Sequence, residues 1–277
     1  MSFEFSKYQG AGNDFVVIDD RRRTFPADRA ERTATIRFLC DRRRGIGADG
    51  LMLLQAPNDP AHHFRMEYFN GDGSEAEMCG NGARCICAYA QFMGAASGAM
   101  TFETGAGIYR AEAIEPERIR VFFPDMQPAI LNVDLETEGQ RWHGHFLTAG
   151  VPHLVLPVDG GEIEGIDVAR HGRALRFHPR FAPAGTNVNF CALQDDGSMR
   201  LRTYERGVEG ETLACGTGAV ATTISHALLT QSREADLILR PNLNDTLRVG
   251  VRFTDSQAIS GIFLEGPATR VYSGKTA

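Results

Sequence analysis

Two stretches of this chain carry the same reactive residue in the same surroundings. Residues 68–83 read YFNGDGSEAEMCGNGA and residues 204–219 read YERGVEGETLACGTGA. Tyr68 matches Tyr204, Glu75 matches Glu211 and Cys79 matches Cys215, each pair 136 positions apart (79 to 215). A constant offset of about half the chain length marks an internal duplication, and so two similar domains that each present one cysteine at a loop-to-helix junction. A Cys-Gly-x-Gly-Ala run ahead of helical spacing puts the thiol at a helix N-terminus. Unpaired N–H groups and the positive end of the helix dipole gather there. That field favours thiolate over thiol. Glycines without side chains leave the backbone amides open to an anion such as a carboxylate.

Two such junctions suit the inversion of a carbon that bears a carboxylate. A thiolate on one face removes the α-proton and a thiol on the other face returns one. Helix-end amides stabilise the carboxylate while the carbanion-like charge develops, and thiols tune readily enough to serve as base or acid. Such a reaction needs no cofactor. The lysines agree: of 29 basic residues only Lys7 and Lys275 are lysines, both near the chain ends. Lys7 sits in no glycine-rich phosphate loop, which argues against a pyridoxal-phosphate Schiff base and against a P-loop.

Other chemistry for these cysteines fits less well. Cys79, Cys85 and Cys87 follow a Cys-x5-Cys-x-Cys spacing that matches no zinc pattern, and the second copy offers one cysteine, so no metal is expected. A Cys/His hydrolase needs one nucleophile and would not explain a duplicated one. Cys40, Cys85, Cys87 and Cys191 read as small core residues.

The elements that must position the two thiols can be read from periodicity. Strands are expected at Phe3–Tyr8 and Phe15–Ile18 around a glycine-rich turn, at Leu51–Leu54 and at Arg65–Asn70. Further strands are expected at Met100–Glu103, Ile108–Ala113 and Ile119–Phe123. In the second half they fall at His145–Ala149, His153–Pro157, Asn187–Leu193 and Met199–Glu205, with short strands on to Tyr272. Helical spacing covers Ala27–Cys40, the stretch that follows Cys79-Gly-Asn-Gly-Ala-Arg84 to about Phe92, Ile166–Arg173 and Thr217–Leu229. Pro124 and Pro128 bracket the domain boundary. The fold class is α+β: two pseudo-symmetric domains, each a mixed or antiparallel sheet wrapped around a central helix, with an active site in the interdomain cleft.

Composition sets the outer limits. The chain has 277 residues, a formal net charge of −6, and 43% hydrophobic and 23% charged residues, as in an ordinary globular protein. No apolar run is long enough to span a membrane. MSFEFSKYQG shows neither the basic nor the apolar stretch of a secretion signal, so a cytoplasmic protein is expected, with its thiols reduced. The arginine runs 21–23 and 42–44 stand beside Asp19, Asp20 and Asp41 and read as solvated faces, not as a nucleic-acid footprint.

Eight motifs, in order along the chain, show a resemblance. They are Gly10-Ala-Gly-Asn-Asp-Phe15, Arg44-Gly-Ile-Gly-Ala-Asp-Gly50, Phe69-Asn-Gly-Asp-Gly-Ser74, Cys79-Gly-Asn-Gly-Ala-Arg-Cys85, Pro152-His153, Gly185-Thr-Asn-Val-Asn189, Tyr204-Glu-Arg-Gly207 and Ala214-Cys-Gly-Thr-Gly-Ala219. With these the chain resembles the diaminopimelate epimerases. These are cofactor-independent enzymes that interconvert LL- and meso-2,6-diaminopimelate in lysine and peptidoglycan precursor biosynthesis. The resemblance implies that Cys79 and Cys215 are the catalytic pair, with His153 and Glu205 beside them. It assigns the amides of Gly80, Asn81, Gly216 and Thr217 to the carboxylate at the reacting carbon and places Asn13 in a substrate-binding loop. Asn70, Asn187 and Arg206 would recognise the distal amino-carboxylate end, with Glu205 also against the substrate.

The implied domains are 1–124 with 266–277, and 125–265. The implied partners are a small amino-acid substrate and a second copy of the chain in a homodimer, with no nucleic acid, membrane or cofactor. Two positions depart from the family pattern: Val151 stands where many members carry a substrate-contacting Asn, and Gly50 where some carry Gln. Neither offers a side-chain hydrogen bond. Two rival functions are a racemase for a single-centre amino acid and a binding module that has lost catalysis. Retention of Asn70, Asn187 and Arg206 favours a substrate with two amino-carboxylate ends over the first. Retention of both thiols counts against the second.

Overall fold

The computed structural model describes residues 2–241, 244–256 and 258–276. The chain folds as two compact units, 1–122 with 265–277, and 123–264. It passes from one to the other at Phe122/Phe123 and returns at Leu264/Glu265. Among the described residues no helix is long and apolar enough to cross a membrane.

The first unit contains β1 (Glu4–Gly10), β2 (Asn13–Asp19), α1 (Arg29–Cys40), β3 (Gly50–Gln55), β4 (Phe64–Asn70) and β5 (Glu75–Ala76). It continues with α2 (Gly80–Phe92), β6 (Ala99–Thr104), β7 (Gly107–Glu115) and β8 (Arg118–Phe122). Strand β1 is antiparallel to β2, β2 parallel to β3, β3 antiparallel to β4 and β4 antiparallel to β5. Beyond α2, β4 runs parallel to β6, which is followed by antiparallel β7 and β8.

The second unit repeats this order. It contains β9 (Leu131–Thr137), β10 (Gln140–Ala149), β11 (Val151–Pro157), α3 (Val168–Arg176), β12 (Asn187–Leu193), β13 (Met199–Glu205) and β14 (Gly210–Thr212). Then come α4 (Gly216–Leu229), β15 (Glu234–Arg240), β16 (Leu247–Phe253) and β17 (Ile259–Pro267), which runs on into the first unit. The pairings are again antiparallel for β10–β11, parallel for β11–β12, antiparallel for β12–β13 and β13–β14, and parallel for β13–β15. Strand β18 (Thr269–Lys275) lies antiparallel to β1 as β9 lies antiparallel to β10. The repeat read at 136 residues is therefore a repeat of topology as well as of motif.

Side-chain alternation explains why each sheet holds two kinds of helix. Successive residues of a strand face opposite sides. Leu51 and Leu53 of β3 join the core under α1 with Val16, Ile18, Ile36 and Leu39. Met52, between them, faces α2, where its Sδ lies 3.1 Å from the Cβ position of Gly82. In β12, Val188 and Phe190 join the core under α3 with Val168, Leu175 and Tyr204. Asn189 faces α4 instead, its Oδ1 2.4 Å from the Cβ position of Gly218. The outer helices α1 and α3 bury one stripe each. The central helices α2 and α4 are buried on nearly every side, as their small apolar sequences require. Strand β9 and the first half of β10 carry no expectation from periodicity. Their hydrophobic residues are spaced by exposed polar ones at the edge of the sheet.

The return to the first unit is pinned by charge. Glu265 is buried, and Arg118 Nε and Arg120 Nη2 reach its two carboxylate oxygens at 2.6 and 2.7 Å. Burial alone would raise the Glu265 pKa, but the bonds from both arginines outweigh it and hold the carboxyl below its ordinary value. A carboxyl whose native pKa is depressed contributes stability above its unfolded pKa of about 4.3 and loses it as pH falls through the native value. Glu265→Gln should thus cost about 2 kcal/mol at pH 7 in chemical denaturation, with the difference from wild type closing below about pH 4. A difference that persists unchanged in acid, or none at pH 7, would contradict this role.

Candidate active site

Both repeated cysteines are helix N-caps. Cys79 has extended backbone angles (φ −140°, ψ 119°), and its sulfur accepts the N–H of Gly82 at 3.4 Å. Cys215 does the same (φ −123°, ψ 110°), with the N–H of Gly218 at 3.4 Å. Capping therefore takes the third amide of each helix. The first two, on Gly80 and Asn81 and on Gly216 and Thr217, have no acceptor within the helix. Each half-site is thus a thiol seated beside two backbone donors at the positive end of a buried helix.

The other four cysteines lie within α1, α2 and β12 and cap no helix. Cys40, Cys85, Cys87 and Cys191 are all buried. Burial pushes Cys40, Cys85 and Cys191 up to about 12, and Cys87 well above its ordinary value, so all four remain thiols.

In the first unit the glycine loop between β1 and β2 closes over the start of α2. A Cβ on Gly10 would stand 3.0 Å from Cys85 Sγ and 3.3 Å from the Asn81 carbonyl, so this approach needs glycine. The contact brings together two predicted substrate residues: Asn81 Nδ2 donates to Asn13 Oδ1 at 2.5 Å. The direction is set by Arg84, which only donates. Its Nη2 reaches Asn81 Oδ1 at 2.9 Å, and its Nε and Nη1 reach the carbonyls of Pro267 and Gly80 at 3.3 and 3.4 Å. Asn13 Nδ2 then donates to Asp49 at 3.1 Å. Arg42 bonds both Asp14 and Asp49, and Lys7 pairs with Asp14 at 2.8 Å while donating to the Gly47 carbonyl. Burial raises the Asp14 pKa, but the bonds from Arg42 and Lys7 prevail and lower it to about 2. Arg42 therefore belongs to a site-side network and is more than a solvated charge.

Asn70 ends β4 opposite Gly50 and is exposed. Tyr68 Oη donates to its Oδ1 at 3.1 Å and its Nδ2 donates to Ser74 Oγ at 3.0 Å. Tyr68 also accounts for Gly50. A Cβ there would stand 2.7 Å from Tyr68 Cε2 and 2.6 Å from the Phe69 carbonyl, so the tyrosine ring fills the space a longer side chain would need.

In the second unit His153 is fully buried and lies between Thr217 Oγ1, 3.0 Å from its Nε2, and Asn189 Nδ2, 3.1 Å from its Nδ1. Burial, reinforced by the charge of Arg206, pushes His153 down to about 3, so it is a neutral imidazole. Asn187 Oδ1 accepts the backbone N–H of Arg206 at 2.7 Å and its Nδ2 donates to the Pro152 carbonyl at 3.1 Å. The Arg206 guanidinium reaches the Ala184 carbonyl at 3.4 Å, and Glu205 closes β13 opposite Gly210. Asn187, Arg206, His153, Thr217 and Cys215 are thus linked within one unit. Val151 opens β11 as Asn13 opens β2, so this departure falls at the topological counterpart of a predicted substrate residue.

Arg84, Asp49, Asn189 and Thr203 escape the sequence reading of the site. Two of them had a signal. Asn187 and Asn189 alternate in an otherwise apolar strand, and Arg84 is a charge inside a helix that buries nearly everything.

The structure resembles that of a phenazine biosynthesis protein of the PhzF family from Bacillus anthracis, with TM-score 0.76 and 15% identity over 100% of this chain and 99% of that one. It also resembles a hydroxyproline epimerase from Agrobacterium vitis, with TM-score 0.72 and 14% identity over 100% and 92%. The fold is thus the duplicated α+β architecture that these proteins share. At the level of sequence, the family model for diaminopimelate epimerase matches residues 5–122 and 145–271. Diaminopimelate epimerases of Hydrogenobaculum sp. and Aquifex aeolicus are each 41% identical, over 97% and 98% of this chain and 96% and 97% of their own lengths. The chain belongs to the diaminopimelate epimerase family.

Among the described residues Arg84 is the largest side chain with no exposed surface, and it orients two site asparagines. Arg84→Met should leave acceptors on Asn81 and Pro267 without their donor and cost about 3 kcal/mol in denaturation, with Arg84→Lys losing less. Equal stability of wild type and Arg84→Met would refute this part of the site.

Proposed function

We propose that the protein epimerises LL-2,6-diaminopimelate to the meso isomer, without cofactor, by proton transfer between two cysteines. The observation that carries the reading is the pair of N-cap thiols, each beside two free helix-end amides, in a chain of this family. One sulfur, as thiolate, takes the α-proton and becomes a thiol. The electron pair of the broken C–H bond moves into the carboxylate, giving an enediolate-like species. The amides of Gly80, Asn81, Gly216 and Thr217 stabilise that charge as preorganised donors. The other sulfur, as thiol, delivers its proton to the opposite face and is left a thiolate. Exchange with solvent resets the pair.

Substrate recognition follows from the polar side chains at the two half-sites. Arg206 offers a bidentate match to a distal carboxylate, with Asn70 and Asn187 beside the distal amino-carboxylate end. His153, as a neutral imidazole, acts on Cys215 through the Thr217 hydroxyl and is not a charged acid. Glu205 serves as the acidic group near the reacting pair. A weak carbon acid needs water kept from the developing carbanion, so the active form is one closed around its substrate. This function belongs to lysine and peptidoglycan precursor synthesis in the cytoplasm, carried out by a homodimer.

Purified protein given LL-diaminopimelate should form the meso isomer, read by chiral chromatography; absence of that product would remove the substrate assignment. Cys79→Ala and Cys215→Ala should each lower turnover by at least about 10³-fold while substrate affinity changes little. Near-normal turnover in either variant would rule out the two-thiol mechanism.

A further inference from the structure

We propose that Asn189 and Thr203 are positioning residues that hold His153 as its Nε2–H tautomer. That makes the Thr217 hydroxyl a donor to the Cys215 sulfur and marks Cys215 as the resting thiolate; the pairing with Cys79 rests on the function proposed above.

The direction of every bond in this relay can be assigned. The Leu154 carbonyl only accepts, so the Asn189 atom 3.1 Å from it is the amide nitrogen, Nδ2. Thr203 Oγ1 donates to Asn189 Oδ1 at 3.1 Å and fixes the other end of the amide. The same Nδ2 reaches His153 Nδ1 at 3.1 Å, so Nδ1 presents its lone pair. A neutral imidazole carries one N–H, and it is therefore on Nε2, 3.0 Å from Thr217 Oγ1. Burial, reinforced by the charge of Arg206, keeps His153 neutral. A hydroxyl has one hydrogen. With Thr217 Oγ1 accepting from His153, that hydrogen goes to Cys215 Sγ at 3.6 Å. The N–H of Gly218 already points at the same sulfur. Donors of this kind stabilise a thiolate more than a thiol.

The rest of the unit is built around this relay. Gly218 carries no Cβ where Asn189 Oδ1 lies, and only that gap lets the amide sit beneath the first turn of α4. The matched glycine of the first unit, Gly82, faces the thioether of Met52. The residue matched to Thr217 there is Asn81, whose side chain is directed at Asn13 and Arg84. The two thiols are topologically equivalent, but the matched side chains are used differently: Thr217 reaches its own cap sulfur, and Asn81 turns to Asn13 and Arg84.

Two measurements on the substrate-free protein test this. Nitrogen NMR of the wild-type imidazole should show His153 protonated on Nε2 and bare on Nδ1; a proton on Nδ1 would overturn the proposal. Thr217→Val keeps the backbone amide and the side-chain shape but removes the hydroxyl. At pH 7 iodoacetamide alkylation of Cys215, mapped by mass spectrometry, should slow by about ten-fold relative to Cys79 in the same sample. Thr217→Ser should restore it. An unchanged ratio in Thr217→Val would overturn the proposal, and if that variant does not fold, the wild-type spectrum alone decides. Neither readout uses diaminopimelate, so a protein that failed to epimerise would leave the relay to be judged on its own.

Discussion

A helix that is buried on nearly all sides still has to do something with its first N–H groups, and in α2 and α4 they meet a sulfur atom. The N-cap of each is a cysteine, and the third amide of the helix binds its Sγ at 3.4 Å. Serine, threonine, aspartate or asparagine would be the usual choice at that position. Cysteine accepts hydrogen bonds weakly, so capping is a poor reason for its presence twice. A thiol placed at the positive end of a dipole, with two further amides open, gains reactivity from that same geometry.

The sheets serve this constraint. Strand alternation gives each sheet one apolar face for an outer helix and one face for the central helix. At the site end, each central helix joins a polar chain within its own unit. In the first unit Arg84 sets the direction of a polar chain through Asn81 and Asn13 to Asp49. In the second unit Asn189 does so through His153 and Thr217. Both chains start from a group whose hydrogen-bonding sense cannot be reversed: a guanidinium in one, an amide locked by a carbonyl in the other. The duplication therefore conserved the scaffold and the thiol while the supporting polar groups diverged.

Much of this was legible in the sequence because it depends on local spacing. The 136-residue offset of the Cys-Gly-x-Gly-Ala runs gives the duplication, and the helices begin immediately after Cys79 and Cys215 as their motifs require. The helix from Arg29 to Cys40 and the strands at Asn187–Leu193 and Met199–Glu205 follow their periodicity. What the sequence hid are the pairings made through space. Nothing local says that Tyr68 fills the volume above Gly50, or that Arg42 leaves a basic run to bridge Asp14 and Asp49. Asn189 looks like a neighbour of Asn187 in a motif. Its part in orienting His153 emerges only when β11 and β12 lie parallel, with His153 beside Asn187 in register. Strand β9 was invisible for a related reason: an edge strand needs few apolar residues, and its partner β10 supplies the hydrogen bonds.

In the proposed reaction two thiols act on opposite faces of one carbon, one taking the substrate hydrogen and the other delivering a hydrogen drawn from solvent. Starting from pure LL-diaminopimelate in deuterium oxide and stopping at low conversion separates this from a single base working on both faces. With two thiols, the meso product should carry deuterium at the inverted centre, while the unreacted LL isomer remains largely protiated. Meso product that retains the substrate's own hydrogen at that centre would contradict it.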